Sequence, residues 1–228
     1  MAIKKHDFLE LDFTAKVADT GMIFDLTEET VAKEHNLYDK KMSYKPIKIC
    51  LGEHHVVKGL EQFLEGKELG NYTVTIKTEE AFGKKNPKLM RLMPLKAFHQ
   101  QQIQPQPGLQ INMDGMLGTV RTVSGGRVIM DFNHPLAGKD VIYEVKLKRI
   151  IITAEEKAAT LFGYILPGIP FTVKEETLTL AIEPPEAVRK ALTEKIIGII
   201  PEIKQLAFKK PEEKKTNTLT PAPKVPKA

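Results

Sequence analysis

Hydrophobic and polar residues alternate along several short stretches of the chain, a pattern typical of strands with one buried face. The stretches that predict one antiparallel sheet are Phe8–Ala18, Met22–Asp25, Pro46–Leu51, Tyr72–Lys77 and Val141–Ile152. After the third stretch, the apolar pattern predicts a short amphipathic helix that begins at Val56 and ends near Gly66. A second helix is predicted at Glu28–Asn36, with Thr27 as its N-cap and acidic residues in its first turn.

The segment Asn86–His134 interrupts this sheet and has a different composition. It holds a polar stretch, His99–Pro107, followed by the strand candidates Leu109–Met113, Gly118–Val123 and Arg127–Phe132. The last two are separated by Ser124-Gly125-Gly126, residues that favour a turn. Five of the eight methionines lie in this segment, at positions 90, 93, 113, 116 and 130. The segment therefore predicts a small β-rich domain with a large supply of flexible apolar side chains.

A third unit is predicted from Thr153 onwards. Its elements are a helix at Ala154–Tyr164, a hairpin formed by Phe171–Val173 and Thr177–Ile182, and a helix at Glu186–Phe208 bent at Pro201. The last helix carries more apolar residues than two short strands and one short helix readily cover. It is therefore expected either to dock on the rest of the chain or to be buried between two copies of it, and we favour a homodimer.

Charge is distributed unevenly along the 228 residues. The net charge is +5, and the positive excess lies after Ile203. Residues 210–228 are rich in Lys, Pro and Thr and poor in apolar side chains, which predicts a disordered basic tail. A solvated tail is one interpretation, and a contact with the ribosome or a nucleic acid is the alternative.

Composition excludes several classes of protein and site. No apolar run reaches the roughly 18 residues of a membrane span, and the N-terminal sequence MAIKKHDFLELDF has no signal-peptide pattern. The single cysteine, Cys50, is incompatible with an internal disulfide and suits a reducing compartment. The six histidines are scattered, and no metal or phosphate motif accompanies them. We therefore expect a cytoplasmic protein that does not contact a membrane and needs no metal or other cofactor.

Four segments keep a recognisable order and spacing. They are Phe24-Asp25, KPIKICLG (residues 45–52), VVKGLEQFLEG (residues 56–66) and Ala81-Phe82-Gly83. Together they resemble the signature of the FKBP-type peptidyl-prolyl cis/trans isomerases. The insert and its return sequence Asn133–Gly138 (NHPLAG) are similar to those of SlyD-type FKBPs, which carry an insert-in-flap domain. The order of elements after Thr153 is similar to that of long-type archaeal FKBPs, whose C-terminal module forms homodimers.

The resemblance implies an α+β fold, with an antiparallel half-barrel sheet around a short helix, a β-rich insert and a C-terminal module of helix, hairpin and helix. The implied domains are an FKBP isomerase domain (1–85 and 134–152), an insert-in-flap chaperone domain (86–133), a C-terminal dimerisation domain (153–209) and the basic tail (210–228). The implied partners are unfolded or proline-containing polypeptides. SlyD proteins often bind nickel through a His- and Cys-rich tail, but this tail has neither residue.

The resemblance also implies an apolar isomerase pocket. Its residues would be Phe13, Phe24, Asp25, Ile47, Ile49, Val56, Val57, Leu60, Phe82 and Tyr143. In the family the position of Val57 presents its backbone N–H to a substrate carbonyl, that of Leu60 forms the floor, and those of Phe24 and Tyr143 form walls. Asp25 would position the substrate by polar contact and would not transfer a proton. The alternative is that the apolar members are ordinary core residues and that Asp25 is a structural acid.

Three positions depart from the usual family pattern. Leu60 stands where many members have Trp, while Phe82 and Phe13 stand where Tyr is common. These changes keep the apolar surface but remove hydrogen-bond donors. The leading interpretation is an active prolyl isomerase, and the alternative is a non-catalytic holdase chaperone built on an FKBP scaffold.

The insert is expected to capture unfolded chains, as the SlyD resemblance implies. Methionine side chains adapt to varied apolar partners. The residues predicted to bind client polypeptide are Leu89, Met90, Leu92, Met93, Phe98, Met113, Met116 and Met130. The alternative for each methionine is that it fills an irregular core.

Overall fold

The computed structural model describes residues 2–113 and 115–210, and the chain forms two compact units, Met1–Ile151 and Ile152–Ala228. The predicted basic tail, apart from Lys210, lies outside the described residues. The strands are β1 (Phe8–Val17), β2 (Ile23–Leu26), β3 (Ile47–Cys50), β4 (Gly70–Ile76), β5 (Met90–Pro94), β6 (Gln110–Met113), β7 (Met116–Ser124), β8 (Arg127–Asp131), β9 (Val141–Ile151), β10 (Phe171–Lys174), β11 (Thr177–Leu180) and β12 (Gln205–Phe208). The helices are α1 (Glu29–Glu34), α2 (Lys58–Leu64), α3 (Leu95–Gln100), α4 (Ala154–Ile165) and α5 (Glu186–Ile199).

The main sheet of the first unit is antiparallel, which confirms the predicted fold class. Strand β1 pairs with β9 along one edge, and β4 lies beyond β9. Strands β2 and β3 follow each other along the other edge of β1, where β3 pairs with Phe8–Leu11 and β2 with Thr14–Lys16. The alternating residues on one face of β1 and β9 form the core of the unit. This arrangement brings residues from all five strands into one core cluster on a single face of the sheet.

Helix α2 packs on this face and closes the core. Leu60 and Leu64 are fully buried between the helix and the sheet. Gly59 lies where the helix approaches β4 most closely, because a Cβ added there would come within 2.4 Å of the Ile76 Cγ2 atom. A larger residue at Gly59 would push α2 off the sheet.

Thr27 does not cap α1, so that prediction was wrong. Glu28 occupies the N-cap position, without a side-chain capping bond. Thr27 is buried, and its hydroxyl accepts a hydrogen bond from the backbone N–H of Phe13 at 2.9 Å and donates one to Oδ1 of Asp12 at 2.8 Å. The Lys148 ammonium lies 2.5 Å from the other oxygen of Asp12. The Thr27 hydroxyl therefore joins the end of β2 to β1. The Phe13 N–H and the Asp12 carboxylate need these hydrogen bonds because they are buried and no water replaces them.

We expect Thr27→Val to lower the free energy of unfolding by about 2–4 kcal/mol, because it leaves the Phe13 N–H and an Asp12 oxygen buried without this partner. Thr27→Ser keeps the hydroxyl and serves as the matched control. Urea unfolding of both variants measures the difference. A Val variant as stable as the Ser variant would show that the hydroxyl does not stabilise this junction.

The insert forms a second antiparallel sheet, in the order β5-β8-β7-β6, that encloses its own small core. The three predicted strands are present as β6, β7 and β8. The sequence analysis did not identify β5 and α3, which together span Met90–Gln100. Strand β5 is an edge strand whose residues are mostly exposed, so its sequence does not alternate clearly.

Most elements of the second unit lie close to their predicted positions. These are α4, the hairpin β10–β11 and the start of α5. The prediction of one helix from Glu186 to Phe208 was wrong, because α5 ends at Ile199 and Gln205–Phe208 forms β12, which pairs in parallel with β11. Pro201 explains the break, since proline disfavours the helical conformation of the residue before it. Four of the isoleucines that suggested a surplus of apolar surface are buried in the single chain: Ile196, Ile199, Ile200 and Ile203.

Candidate active site

Aromatic rings form a continuous group on the core-facing side of the main sheet. The rings of Phe13 and Tyr143 have centroids 5.7 Å apart, and Phe24 meets Tyr143 edge-to-face at 6.2 Å. Phe24 also meets Phe82 edge-to-face, with centroids 5.7 Å apart. Strands β1, β2 and β9 and the turn after β4 each supply one ring. Aromatic pairs of this geometry stabilise one another, so the rings hold a fixed shape.

Aliphatic side chains complete the same cluster. All nine apolar residues predicted for the pocket pack into one group: Phe13, Phe24, Ile47, Ile49, Val56, Val57, Leu60, Phe82 and Tyr143. Ile49 and Leu60 are fully buried at its base, whereas Phe24 and Phe82 are only partly buried. The cluster therefore combines fully buried aliphatic side chains with partly exposed aromatic rings.

Asp25 lies at the exposed rim of this cluster, where β2 pairs with Ala15 of β1. Its carboxyl group is still partly shielded from water, which raises the pKa of Asp25, and a backbone hydrogen bond at Leu26 acts in the opposite direction. Burial also raises the pKa of Tyr143 to about 12, and the negative charge of Asp25 adds to this shift. Tyr143 therefore stays a neutral phenol at physiological pH and retains its proton for hydrogen bonding.

Val57 immediately precedes α2, and its carbonyl oxygen accepts the N–H groups of Leu60 and Glu61 at the start of the helix. Among the described residues, no group accepts a hydrogen bond from the Val57 N–H. A partly buried donor of this kind is available to a carbonyl group of a bound peptide.

The turn Ala81-Phe82-Gly83 is fixed by backbone and hydroxyl contacts. The Gly83 N–H donates to the carbonyl of Thr78 at 2.7 Å, and the Thr78 hydroxyl donates to the Gly83 carbonyl at 3.1 Å. The N–H of Gly138 donates to the same carbonyl at 2.8 Å. These bonds hold the Phe82 ring in place and join its turn to the segment that returns from the insert.

His134 is a rim residue that sequence reasoning did not place in the site. Its ring stacks on Phe82, with centroids 4.8 Å apart and planes 4° from parallel. The backbone N–H of Leu136 donates to its Nδ1 atom at 3.2 Å, so the neutral imidazole carries its proton on Nε2. A signal existed in the return sequence NHPLAG, but only the fold brings that segment beside Phe82.

We expect His134→Ala to lower kcat/KM for a short prolyl peptide by about three- to tenfold, because Phe82 loses a stacking partner that contributes about 0.5–1.5 kcal/mol. His134→Phe keeps a stacking ring and should retain most of the activity. An Ala variant as active as the Phe variant would contradict a role for the stack.

Glu61 is a second residue that sequence reasoning overlooked. It follows the floor residue Leu60 on α2 and is only 6% exposed. Its Oε2 atom lies 3.5 Å from Nδ1 of His54, while Oε1 has no hydrogen-bond partner among the described residues. An acidic residue on a short helix normally faces water, so no sequence pattern predicts a buried carboxyl group here.

A comparison with known proteins identifies the family. The chain is 32% identical over 149 residues to a short-type peptidyl-prolyl cis-trans isomerase of Methanocaldococcus jannaschii, a match that covers 65% of this chain and 94% of the relative. The chain belongs to the FKBP-type peptidyl-prolyl cis-trans isomerases.

Further relatives support the SlyD-like character of this FKBP. It is 34% identical over 112 residues to the FKBP-type 16 kDa peptidyl-prolyl cis-trans isomerase of Escherichia coli K12, covering 46% of this chain and 74% of the relative. It is 32% identical over 148 residues to SlyD of Aeromonas hydrophila, covering 63% and 69% respectively. A family model described as the FKBP26 IF domain matches residues 91–136. The insert of this FKBP is thus similar to a known insert-in-flap domain.

The predicted client-binding residues of the insert separate into exposed and buried groups. Met90 is 40% exposed, Leu92 58% and Met116 37%, while Leu89 is partly buried. Met93 and Met113 pack against the insert core, and Phe98 and Met130 are buried within it. For Phe98 and Met130, burial favours the core-filling interpretation, because neither presents apolar surface. Two exposed residues that the sequence analysis did not select, Leu109 and Leu117, add to the accessible group.

The described residues contain no group of three His, Cys, Asp or Glu side chains that could hold a metal ion. Within the same residues, no helix is both long enough and apolar enough to cross a membrane.

Proposed function

We propose that this FKBP isomerises X-Pro peptide bonds in the aromatic pocket and binds unfolded polypeptides through its insert-in-flap domain. The observation that carries the proposal is the single apolar cluster, which unites all the predicted aliphatic and aromatic pocket residues and leaves Phe24 and Phe82 accessible. Family membership supports the isomerase part. The exposed apolar residues of the insert support the chaperone part.

The chemistry needs an apolar surface more than a reactive group. Rotation about a peptide bond breaks amide resonance, with a barrier of roughly 18–20 kcal/mol. Water stabilises the planar amide through its polar carbonyl, and an apolar pocket removes that water. The twisted state is less polar, so its free energy rises less than that of the planar state. The pocket therefore favours the state in which the bond rotates.

The departures from the usual family pattern do not remove this surface. Leu60 forms a fully buried floor, and Phe82 keeps an aromatic wall although it has no hydroxyl group. Tyr143 and the Val57 N–H supply donors to the bound peptide in our proposal. Asp25, at the rim, is proposed to position the substrate through its carboxylate.

The insert is proposed to hold clients by its exposed apolar side chains. These are Met90, Leu92, Leu109, Met116 and Leu117. Flexible Met and Leu side chains accept varied apolar sequences, which suits a client with no fixed structure.

Two assays separate this proposal from the holdase alternative. One is protease-free isomerisation of a short prolyl peptide, and the other is suppression of aggregation of an unfolded protein. The proposal predicts activity in both, whereas a holdase would show only the second.

We also propose that the second unit forms a homodimer. Its surface includes Ile152, 75% exposed, Tyr164, 46% exposed, and Val188, 44% exposed. A dimer would place two inserts on one assembly and raise its avidity for long clients. We expect sedimentation velocity to give the mass of two chains, and a single chain at tens of micromolar would contradict the dimer.

We propose a cytoplasmic location for this FKBP, because a chain with a single cysteine forms no internal disulfide and suits a reducing compartment. A contact between the basic tail and the ribosome or a nucleic acid is a further proposal. It predicts salt-sensitive RNA binding that is lost when residues 211–228 are removed.

A further inference from the structure

An ionic network centred on one buried carboxylate lies where the insert joins the isomerase core. Its centre is Asp131, the last residue of β8, which is 2% exposed. The Nε and Nη2 atoms of Arg121 lie 3.0 and 2.9 Å from Oδ2 of Asp131, and the Lys85 ammonium lies 3.5 Å from the same oxygen. The backbone and side-chain N–H groups of Asn133 donate to Oδ1 at 2.9 and 2.8 Å. Both oxygens of this carboxylate are therefore occupied.

The same network joins the two chain segments that connect the insert to the core. Asn133 lies on the returning segment and Asn86 on the outgoing one. The Asn86 N–H donates to the Asn133 side-chain carbonyl at 2.7 Å, and the Asn133 amide donates to the Asn86 carbonyl at 3.2 Å. Arg121 comes from β7, inside the insert. Asp131 thus connects a strand of the insert to both of its attachment points.

Packing around Phe132 reinforces the junction. The Arg91 guanidinium lies 5.1 Å from the centre of the Phe132 ring, and the Phe132 N–H donates to the Leu89 carbonyl at 2.9 Å. The ring lies so close to β7 that a Cβ on Gly118 would come within 2.6 Å of it. All of these contacts lie within the insert, so they hold β5, β7 and the start of the returning segment together as one body beside Asp131.

A buried carboxylate with charged partners is a weak source of stability, because apolar side chains of similar volume often stabilise a protein more. Its more specific effect is on geometry, since an ionised carboxylate tolerates burial only while its partners stay in place. Burial alone would raise the pKa of Asp131, but the hydrogen bonds from Asn133 and Arg121 outweigh this effect and lower it to about 2. Asp131 therefore stays ionised at neutral pH.

We propose that Asp131, Arg121 and Asn133 form a clasp that fixes the direction of the insert relative to the prolyl pocket. A client held on the exposed face of the insert is then presented to the pocket in a limited set of orientations. Asp131 acts as a positioning residue for reactions on protein substrates and does not touch the reacting bond. The catalytic consequence rests on the proposed function, whereas the clasp itself does not.

The test uses the full chain with Cys50→Ala and spin labels at Glu65→Cys on the core and Lys96→Cys on the insert, two exposed positions. Asp131→Asn, and separately Arg121→Gln, removes the ion pair. Val128→Ala, in the insert core, is the control for loss of stability that leaves the clasp intact. Pulsed electron resonance measures the distance distribution. Parallel assays measure kcat/KM for a short peptide, kcat/KM for proline-limited refolding, and Kd for a permanently unfolded client.

We expect both clasp variants to broaden the distance distribution and to lower kcat/KM for refolding by about tenfold, with peptide kcat/KM and client Kd changed less than about twofold. Val128→Ala should leave the distribution narrow. An unchanged distribution in both clasp variants would overturn the proposal. The proposal would also be overturned if the clasp variants lost client binding to the same extent as refolding activity, because Asp131 would then be needed only for folding of the insert. A wild-type protein that does not accelerate refolding would refute the proposed function, and the distance distribution would then decide the clasp alone.

Discussion

Removal of the insert is expected to lower kcat/KM for proline-limited protein refolding by about a hundredfold while changing kcat/KM for a short prolyl peptide by less than about threefold. The pocket residues all lie outside the insert, so a short peptide still reaches them. A folding protein loses the apolar surface that holds it near the pocket, and with it the high effective concentration of its prolines. The deletion is feasible because the ends of the insert meet, with the Asn86 N–H 2.7 Å from the Asn133 side-chain oxygen. A short glycine-containing loop in place of residues 87–132 is the variant to compare with the full chain.

The control keeps the insert folded and changes only its surface. Leu92→Ser and Leu117→Ser replace the two most exposed leucines of the insert, at 58% and 54% exposure, and should reproduce much of the loss on protein substrates. Equal losses on peptide and protein after deletion would mean that the insert supports the pocket. No loss on either substrate would show that the insert does not recruit clients.

Phe24→Ala is expected to lower kcat/KM for a short prolyl peptide by about ten- to a hundredfold. Phe24 contacts the rings of both Tyr143 and Phe82, so its removal opens the wall of the pocket to water. Water restores the hydrogen bonding that stabilises the planar amide, and the barrier to rotation rises. Aggregation suppression by the insert should be unchanged, because Phe24 belongs to the core cluster and not to the insert.

Phe63→Ala is the matched control for this experiment. Phe63 is also partly buried against the core cluster, but its ring contacts Tyr72 and not the pocket rings. The two variants lose the same atoms, and only Phe24→Ala should lose most of its activity. If Phe24→Ala and Phe63→Ala had similar activities, then either catalysis would not depend on the Phe24 ring or both losses of activity would come from lower stability.

The isomerase sheet could be predicted largely from the sequence, because its strands are long and one face of each is buried. In β9 the alternation of VIYEVKLKRII matches buried and less buried positions almost residue by residue. The members of the apolar cluster could be predicted because Phe24, Val57, Leu60 and Phe82 keep a family spacing that survives the changes of residue type. The fold then shows that these residues pack together.

Other features depend on contacts between segments that are distant in the sequence. Threonine is a residue type that favours the N-cap of a helix. The hydroxyl of Thr27 instead binds β1, because the buried N–H of Phe13 needs a hydrogen-bond acceptor. Strand β12 was predicted as helix because the apolar residues after Pro201 fit either period, and only pairing with β11 decides between them. His134 and Asp131 gain their positions from the return of the insert to the core, which no local pattern describes.

Exchange NMR on a short prolyl peptide tests the central claim most directly. The uncatalysed cis/trans exchange takes tens to hundreds of seconds, so cross-peaks between the two isomers do not develop within about a second. With the wild-type protein at catalytic concentration we predict that these cross-peaks appear on that timescale and weaken strongly with Phe24→Ala. Cross-peaks absent with the wild-type protein, or equally strong with Phe24→Ala, would contradict an isomerase pocket at this site.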